Sequence, residues 1–179
     1  MFDISSAQDF YAILVQDFDE FIEDQQSSRR AIHCAITAYH LHEWVWGDWL
    51  GTDHLTWKAL NIRNKESFVA WIDRACPWFT IIQVLANGSK HFVRNRGFDT
   101  QKIQGYGAGP YGVGPYGSGY LLLDFGEEAA EQRYFPALDL LEVVVRFWRD
   151  FLRRYSPGED LPVSKHLPTS LGVARTGCC

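Results

Sequence analysis

The sequence predicts an all-α protein: a four- or five-helix up-and-down bundle with an appended β-hairpin and a long Gly/Tyr-rich loop. Three observations carry this. Five segments repeat apolar residues at helical spacing, each bounded by residues that start or stop helices. Residues 105–119 hold seven of the chain's fifteen glycines, too many for a helix or a central strand. Directly after them, two short apolar runs flank the polar Gly126-Glu127-Glu128.

Taken in order, Ser5-x-x-Gln8 resembles a capping box, and Phe10, Tyr11, Leu14, Phe18 and Phe21 then recur on one face, which makes residues 6–25 the first helix. Ser27 and Ser28 punctuate it. The second helix runs over residues 29–49, rich in Ala, Ile, Leu and Trp, and Gly51 marks its end. Residues 52–63 read as a connection. Asn64 caps a short third helix with Phe68, Trp71, Ile72 and Ala75 on one side. Pro77 suits the first turn of a fourth, which carries Trp78, Ile82 and Leu85 and ends around Gly88 to His91. Tyr120 to Phe125 and Gln132 to Phe135 form the hairpin. After Pro136 the last helix reaches Tyr155 with Leu138, Leu141, Val145, Trp148 and Leu152 toward the core. Residues 1–155 therefore read as one helical domain, and residues 156–179 as a poorly ordered tail.

Composition bounds the function. A chain of 179 residues can bury roughly 70% of its extended surface in one domain, and 46% hydrophobic residues supply the core. A formal charge of −5 argues against a protein that coats nucleic acid, while leaving room for a small basic site. No run approaches the length of a membrane span, and the N-terminus lacks the basic-then-apolar order of a signal peptide, so a cytoplasmic chain without a membrane partner is expected. Cys34 and Cys76 fall inside helical patterns as buried free thiols, and Cys178-Cys179 ends the chain. Nucleophile elbow, P-loop and dinucleotide fingerprint are all lacking in the sequence, so no cofactor is expected.

The polar faces hold the chemistry. On the second helix, His33, Thr37, His40 and Trp44 gather on one side, bordered by Glu43, while His42 falls among apolar residues as a core histidine. Trp44 on a polar face either covers a ligand or partner or packs beneath the hairpin. On the fourth helix, Asn87, Lys90 and His91 project together at i, i+3 and i+4. If the two polar sides meet, two imidazoles, an ammonium, an amide and a carboxylate converge, a set fit for acid-base chemistry; if not, each is a solvated helix face. His40 and Glu43 could offer two metal ligands from one helix, but no second such pair exists, and no metal site is expected. The loop's repeated Gly-Pro-Tyr-Gly is either a mobile connection or a lid whose Tyr106, Tyr111 and Tyr116 stack on a planar ligand or base.

The residues Ala38-Tyr39-His40-Leu41-x-Glu43-Trp44, then Cys76-Pro77 opening a helix that ends Asn87-x-x-Lys90-His91, then a hairpin and a helix with Phe147-Trp148, resemble uncharacterised bacterial proteins of the HEPN-like family. The resemblance spans residues 6–155 in layout and is specific only in those motifs. It implies an all-α bundle that dimerises across polar helix ends, and for many members a metal-independent ribonuclease in toxin-antitoxin or phage-defence systems; other members are non-catalytic interaction modules. The family's ribonuclease signature, Arg followed by four to six residues and His, is not matched here: Arg29 and Arg30 lie too close to His33, and Arg63-Asn64 has no such histidine. By resemblance, the implied site is His91 as general acid or base and Lys90 as phosphate-stabilising charge, with Asn87 and His40 orienting groups. His33, Glu43, Trp44, Tyr111 and Tyr116 are the candidate ligand or partner contacts. The implied partners are a second copy of the chain, RNA or another protein.

Overall fold

The computed structural model describes residues 3–88, 98–105, 107–115, 117–156 and 160–167. Among them it contains six α-helices and one small three-stranded antiparallel sheet. The helices are α1 (Ala7–Glu23), α2 (Ser28–Asp48), α3 (His54–Leu60), α4 (Lys65–Ala75), α5 (Phe79–Gly88) and α6 (Ala137–Tyr155). The strands are β1 (Asp99–Ile103), β2 (Tyr120–Asp124) and β3 (Tyr134–Pro136), in the order β1-β2-β3. No single helix among the described residues is long and apolar enough to cross a membrane.

Local chemistry sets most of the ends. The capping box of α1 is one residue later than the sequence suggested: Ser6 accepts from Asp9 N at 3.1 Å, and the Asp9 carboxylate accepts from Ser6 N at 2.9 Å. The Ser5 backbone N–H, first among the donors to the Asp9 carboxylate, acts with the Ser5 and Ser6 groups beside it to hold that carboxyl below its usual range. Asn64 and Ser67 form the equivalent box on α4. Two expectations are corrected. Residues 52–63 are not merely a connection, because Asp53 caps Leu55 N and Thr56 N to start α3, which Asn61 ends at φ 54°. The hairpin is in fact the β2-β3 part of a sheet in which β1 also pairs with β2, Asp99 opposite Asp124 and Ile103 opposite Tyr120.

The core lies where α1, α2, α5 and α6 meet. Tyr11, Leu14 and Phe18 of α1, Ala38 and Leu41 of α2, Ile82 of α5 and Trp148 of α6 are all essentially inaccessible to solvent. Trp148 Nε1 donates to Ala38 O at 2.8 Å, so the one polar atom of the largest buried side chain is satisfied by the backbone of α2. A seam of rings extends this core: Trp46 stacks on Trp57 at 5.4 Å, and Phe151 meets Phe68 and Trp71 at 5.7 and 5.6 Å, which ties α2, α3, α4 and α6 together. Trp78, just before α5, approaches Phe135 of β3 at 4.4 Å and anchors the sheet.

β2 serves two cores by simple alternation. Leu121 and Leu123 join the helical core, while Tyr120 and Leu122 build a second small cluster with Ile103, Val113 and Tyr134. Arg133 closes the β2-β3 end on Asp124 at 2.8 Å and keeps that carboxyl below its ordinary range.

Part of the segment that the sequence reads as a loose tail is packed. Leu167 is buried against the main core, and Ser164 Oγ donates to the buried Asp19 carboxylate of α1 at 2.5 Å while Lys165 N donates to its other oxygen at 3.1 Å. Ser164 Oγ also accepts from His166 N and Leu167 N. The segment is thus clasped to α1 through one carboxylate.

Two outcomes follow for stability. Trp148→Ala should lower the unfolding free energy in urea by about 3–5 kcal/mol, since it opens a ring-sized cavity and removes a buried donor. Ser164→Ala, which leaves Asp19 short of a partner, should cost about 1–3 kcal/mol and accelerate trypsin cleavage after Lys165. Unchanged cleavage would mean that the clasp does not hold the segment.

Candidate functional site

The polar residues of α2 fall into arcs fixed by what each side packs against. Toward α1, Thr37 Oγ1 lies 2.6 Å from Asp17 Oδ2 and 3.0 Å from His33 O. One hydroxyl proton serves one acceptor, and the shorter contact is the charged one. Burial nevertheless dominates at Asp17 and raises its pKa, with the Thr37 bond working against it. On the same side Trp44 stacks on Phe10 of α1, centroids 4.8 Å apart and planes 14° from parallel. The ring covers α1, not the hairpin.

Toward α5, Tyr39 Oη accepts from Gln83 Nε2 at 3.0 Å, and the rings of Tyr39 and His42 sit 5.6 and 6.1 Å from Phe79. His42 is 4% exposed, and its Nδ1–H donates to Tyr39 O at 2.5 Å, which fixes the neutral tautomer with Nε2 unprotonated. Burial lowers the His42 pKa, the largest influence; the bond to Tyr39 O and the nearby Glu43 charge oppose it.

The remaining arc of α2 faces outward. His33 and Glu43 are exposed and His40 is half-buried, its ring edge-on to Tyr39 at 5.2 Å. The Glu43 carboxylate is paired with Lys65 Nζ of α4 at 2.8 Å, and that bond is the main reason its pKa falls below the usual range. At this exposure the pair contributes no more than about 1 kcal/mol. Glu43 and Trp44, with Ser5, Gly47 and Asp48, also line an open cavity of about 370 Å³ where α2 ends beside the start of α1.

Of the predicted acid-base set, His40 and Asn87 lie on helices in direct contact through Tyr39 and Gln83. Asn87 is half-buried one turn after Gln83, on the same flank of α5. Lys90 and His91 lie outside the described residues, as do Tyr106 and Tyr116. Tyr111 is fully exposed. Among the described residues no group of three or more His, Cys, Asp or Glu side chains is placed to hold a metal.

Sequence reasoning missed Lys65, because the partner of Glu43 comes from another helix and no local spacing links them. It also missed Tyr39 as the bridge to α5. A signal existed there: Tyr39 and His42, three apart, share a side of the helix, and their pairing follows from that spacing.

No protein-family model matches the chain, and no curated protein or solved structure is significantly similar to it.

The state of His42 carries a pH signature. Its folded pKa is depressed below the ordinary 6.5, so the unfolded chain binds the proton more readily and the stabilisation present above that value is lost as pH falls. Melting temperatures of wild type and His42→Gln, compared from pH 7.5 to 5, should converge toward acid, because only the wild type loses this contribution. A constant offset would mean that the fold leaves the His42 pKa where it stands in the unfolded chain.

Proposed function

We propose that the chain is a HEPN-like helical protein, an up-and-down bundle that forms a homodimer and acts on RNA. In this reading it is a metal-independent ribonuclease-type effector, or a degenerate relative of one, in a bacterial toxin or phage-defence setting. The observation that carries the reading is the direct contact of α2 and α5 through Tyr39 Oη and Gln83 Nε2 at 3.0 Å. That contact puts His40 and Asn87 on adjoining helices, and Lys90 and His91 follow α5 directly in the chain.

The chemistry needs no metal. His91 takes the proton from the ribose 2′-hydroxyl, whose oxygen bonds to phosphorus as the P–O5′ bond breaks. The proton returns to the leaving 5′-oxygen. Lys90 offsets the negative charge that grows on the phosphate, and Asn87 and His40 orient the imidazole and the substrate.

A second reading, a non-catalytic dimeric interaction module using the same polar face, is favoured by a different observation. The Glu43 carboxylate is already engaged by Lys65, and one face of Trp44 is already covered by Phe10, so both groups serve the fold first. In that case His40, Trp44 and His91 supply contact surface and no bond is broken.

The two are separated by incubating purified protein with total RNA in EDTA. The enzyme reading expects cleavage that falls at least about a hundredfold in His91→Ala and is strongly reduced in Lys90→Ala, the range typical of losing a general acid or base. RNA left intact by the wild type, or cut equally by all three proteins, rejects it in favour of the module.

A further inference from the structure

The Gly/Tyr-rich segment is built, not merely tolerated. Tyr120 of β2 is 3% exposed, and its hydroxyl donates to Val113 O at 2.6 Å. A Cβ added at Gly114 would clash with the Tyr120 ring, and one at Gly109 with its hydroxyl, so glycine at both places lets the loop close over that ring. Between these two contacts Val113 N donates to Pro110 O at 3.3 Å, closing a turn in which Gly112 has φ +77°. Gly117, which holds the same place in the second Gly-Pro-Tyr-Gly-x pentad, has φ +86°. The turn places Tyr111 at its apex, fully exposed, between a proline and a glycine.

We infer that this loop is a preorganised stacking platform that binds the bases of single-stranded RNA on the face of Tyr111. The inference rests on the RNA-acting reading and names the part of the substrate that the loop takes. The grounds are area and charge. A protein hot spot needs a surround of side chains to exclude water from its centre, and next to Tyr111 in the turn only the Pro110 ring is available, since Gly109 and Gly112 provide none. A base needs only one flat ring, held without losing loop entropy on binding. Residues 103–119 contain no charged side chain, so the loop grips the base and not the phosphate. A base buried in a duplex offers no free face.

The test measures anisotropy of a labelled 2′-O-methyl oligoadenylate, which cannot be cleaved because it lacks the free 2′-hydroxyl. Tyr111→Ala should weaken binding at least about fivefold, the lower end of what stacking one base contributes, while Tyr111→Phe stays within about twofold of wild type. The wild-type to Tyr111→Ala ratio should hold as salt is raised, since no phosphate contact is lost. Because Tyr111 is exposed, the variant's melting temperature should match wild type. Equal binding by Tyr111→Ala overturns the platform while the RNA-acting reading stands, because that reading is decided separately by cleavage in wild type and His91→Ala. Failure of the wild type to bind the oligonucleotide also overturns the platform, as does a Tyr111→Ala effect confined to self-association, which would make the loop a protein contact.

Discussion

The structure depends on helix α2 being enclosed from three directions at once. Ala35 and Ala38 keep one side of it thin, so α6 comes close enough for Trp148 to donate its indole proton to the Ala38 carbonyl. Leu41 and Val45 extend that buried side, Thr37 and Trp44 meet α1, and Tyr39 and His42 meet α5. The position of the remaining polar side chains of this helix follows from the enclosure. His40 and Glu43 are where they are because they occupy the arc that the three neighbours leave open.

Several polar groups inside the fold are matched, as burial demands, whereas Gln25 Oε1 and Trp49 Nε1 are buried without a hydrogen-bond partner among the described residues. Asp19 has Ser164 and Lys165, Asp17 has Thr37, and His42 has the Tyr39 carbonyl. Each pair joins different elements or locks a side chain's orientation. The Asp19 clasp also joins residues more than a hundred apart in the chain, so Ser164 to Leu167 are part of the fold.

Charge and aromatic content then bear on function in opposite ways. A net charge of −5 gives little long-range attraction for a polyanion, so the proposed RNA-acting role would have to draw on short-range contacts. Stacking on an exposed ring is such a contact. The dependence runs back to the core: the Tyr111 turn rests on Tyr120, Tyr120 on the alternation of β2, and β2 on the helical core that takes Leu121 and Leu123.

Residue by residue, the sequence determined the five main helices, since caps such as Asn64 and apolar spacing such as Phe68, Trp71 and Ile72 are local signals. It also marked His42 as buried and excluded a helix or a central strand for the 105–119 segment. It missed α3, whose seven residues are too few to show a clear period and include the 84% exposed Leu55, and β1, where four of five side chains are exposed and alternation is lost. Trp44 could not be assigned from periodicity, because rotation about one helix says which residues share a side and not what stands opposite. Only the tertiary structure supplied Phe10 for Trp44, Lys65 for Glu43, Gln83 for Tyr39 and Asp19 for Ser164. The physical reason is common to all four: local pattern is encoded within a few residues, whereas a contact between distant segments exists only once the core has fixed the angle and distance between their elements.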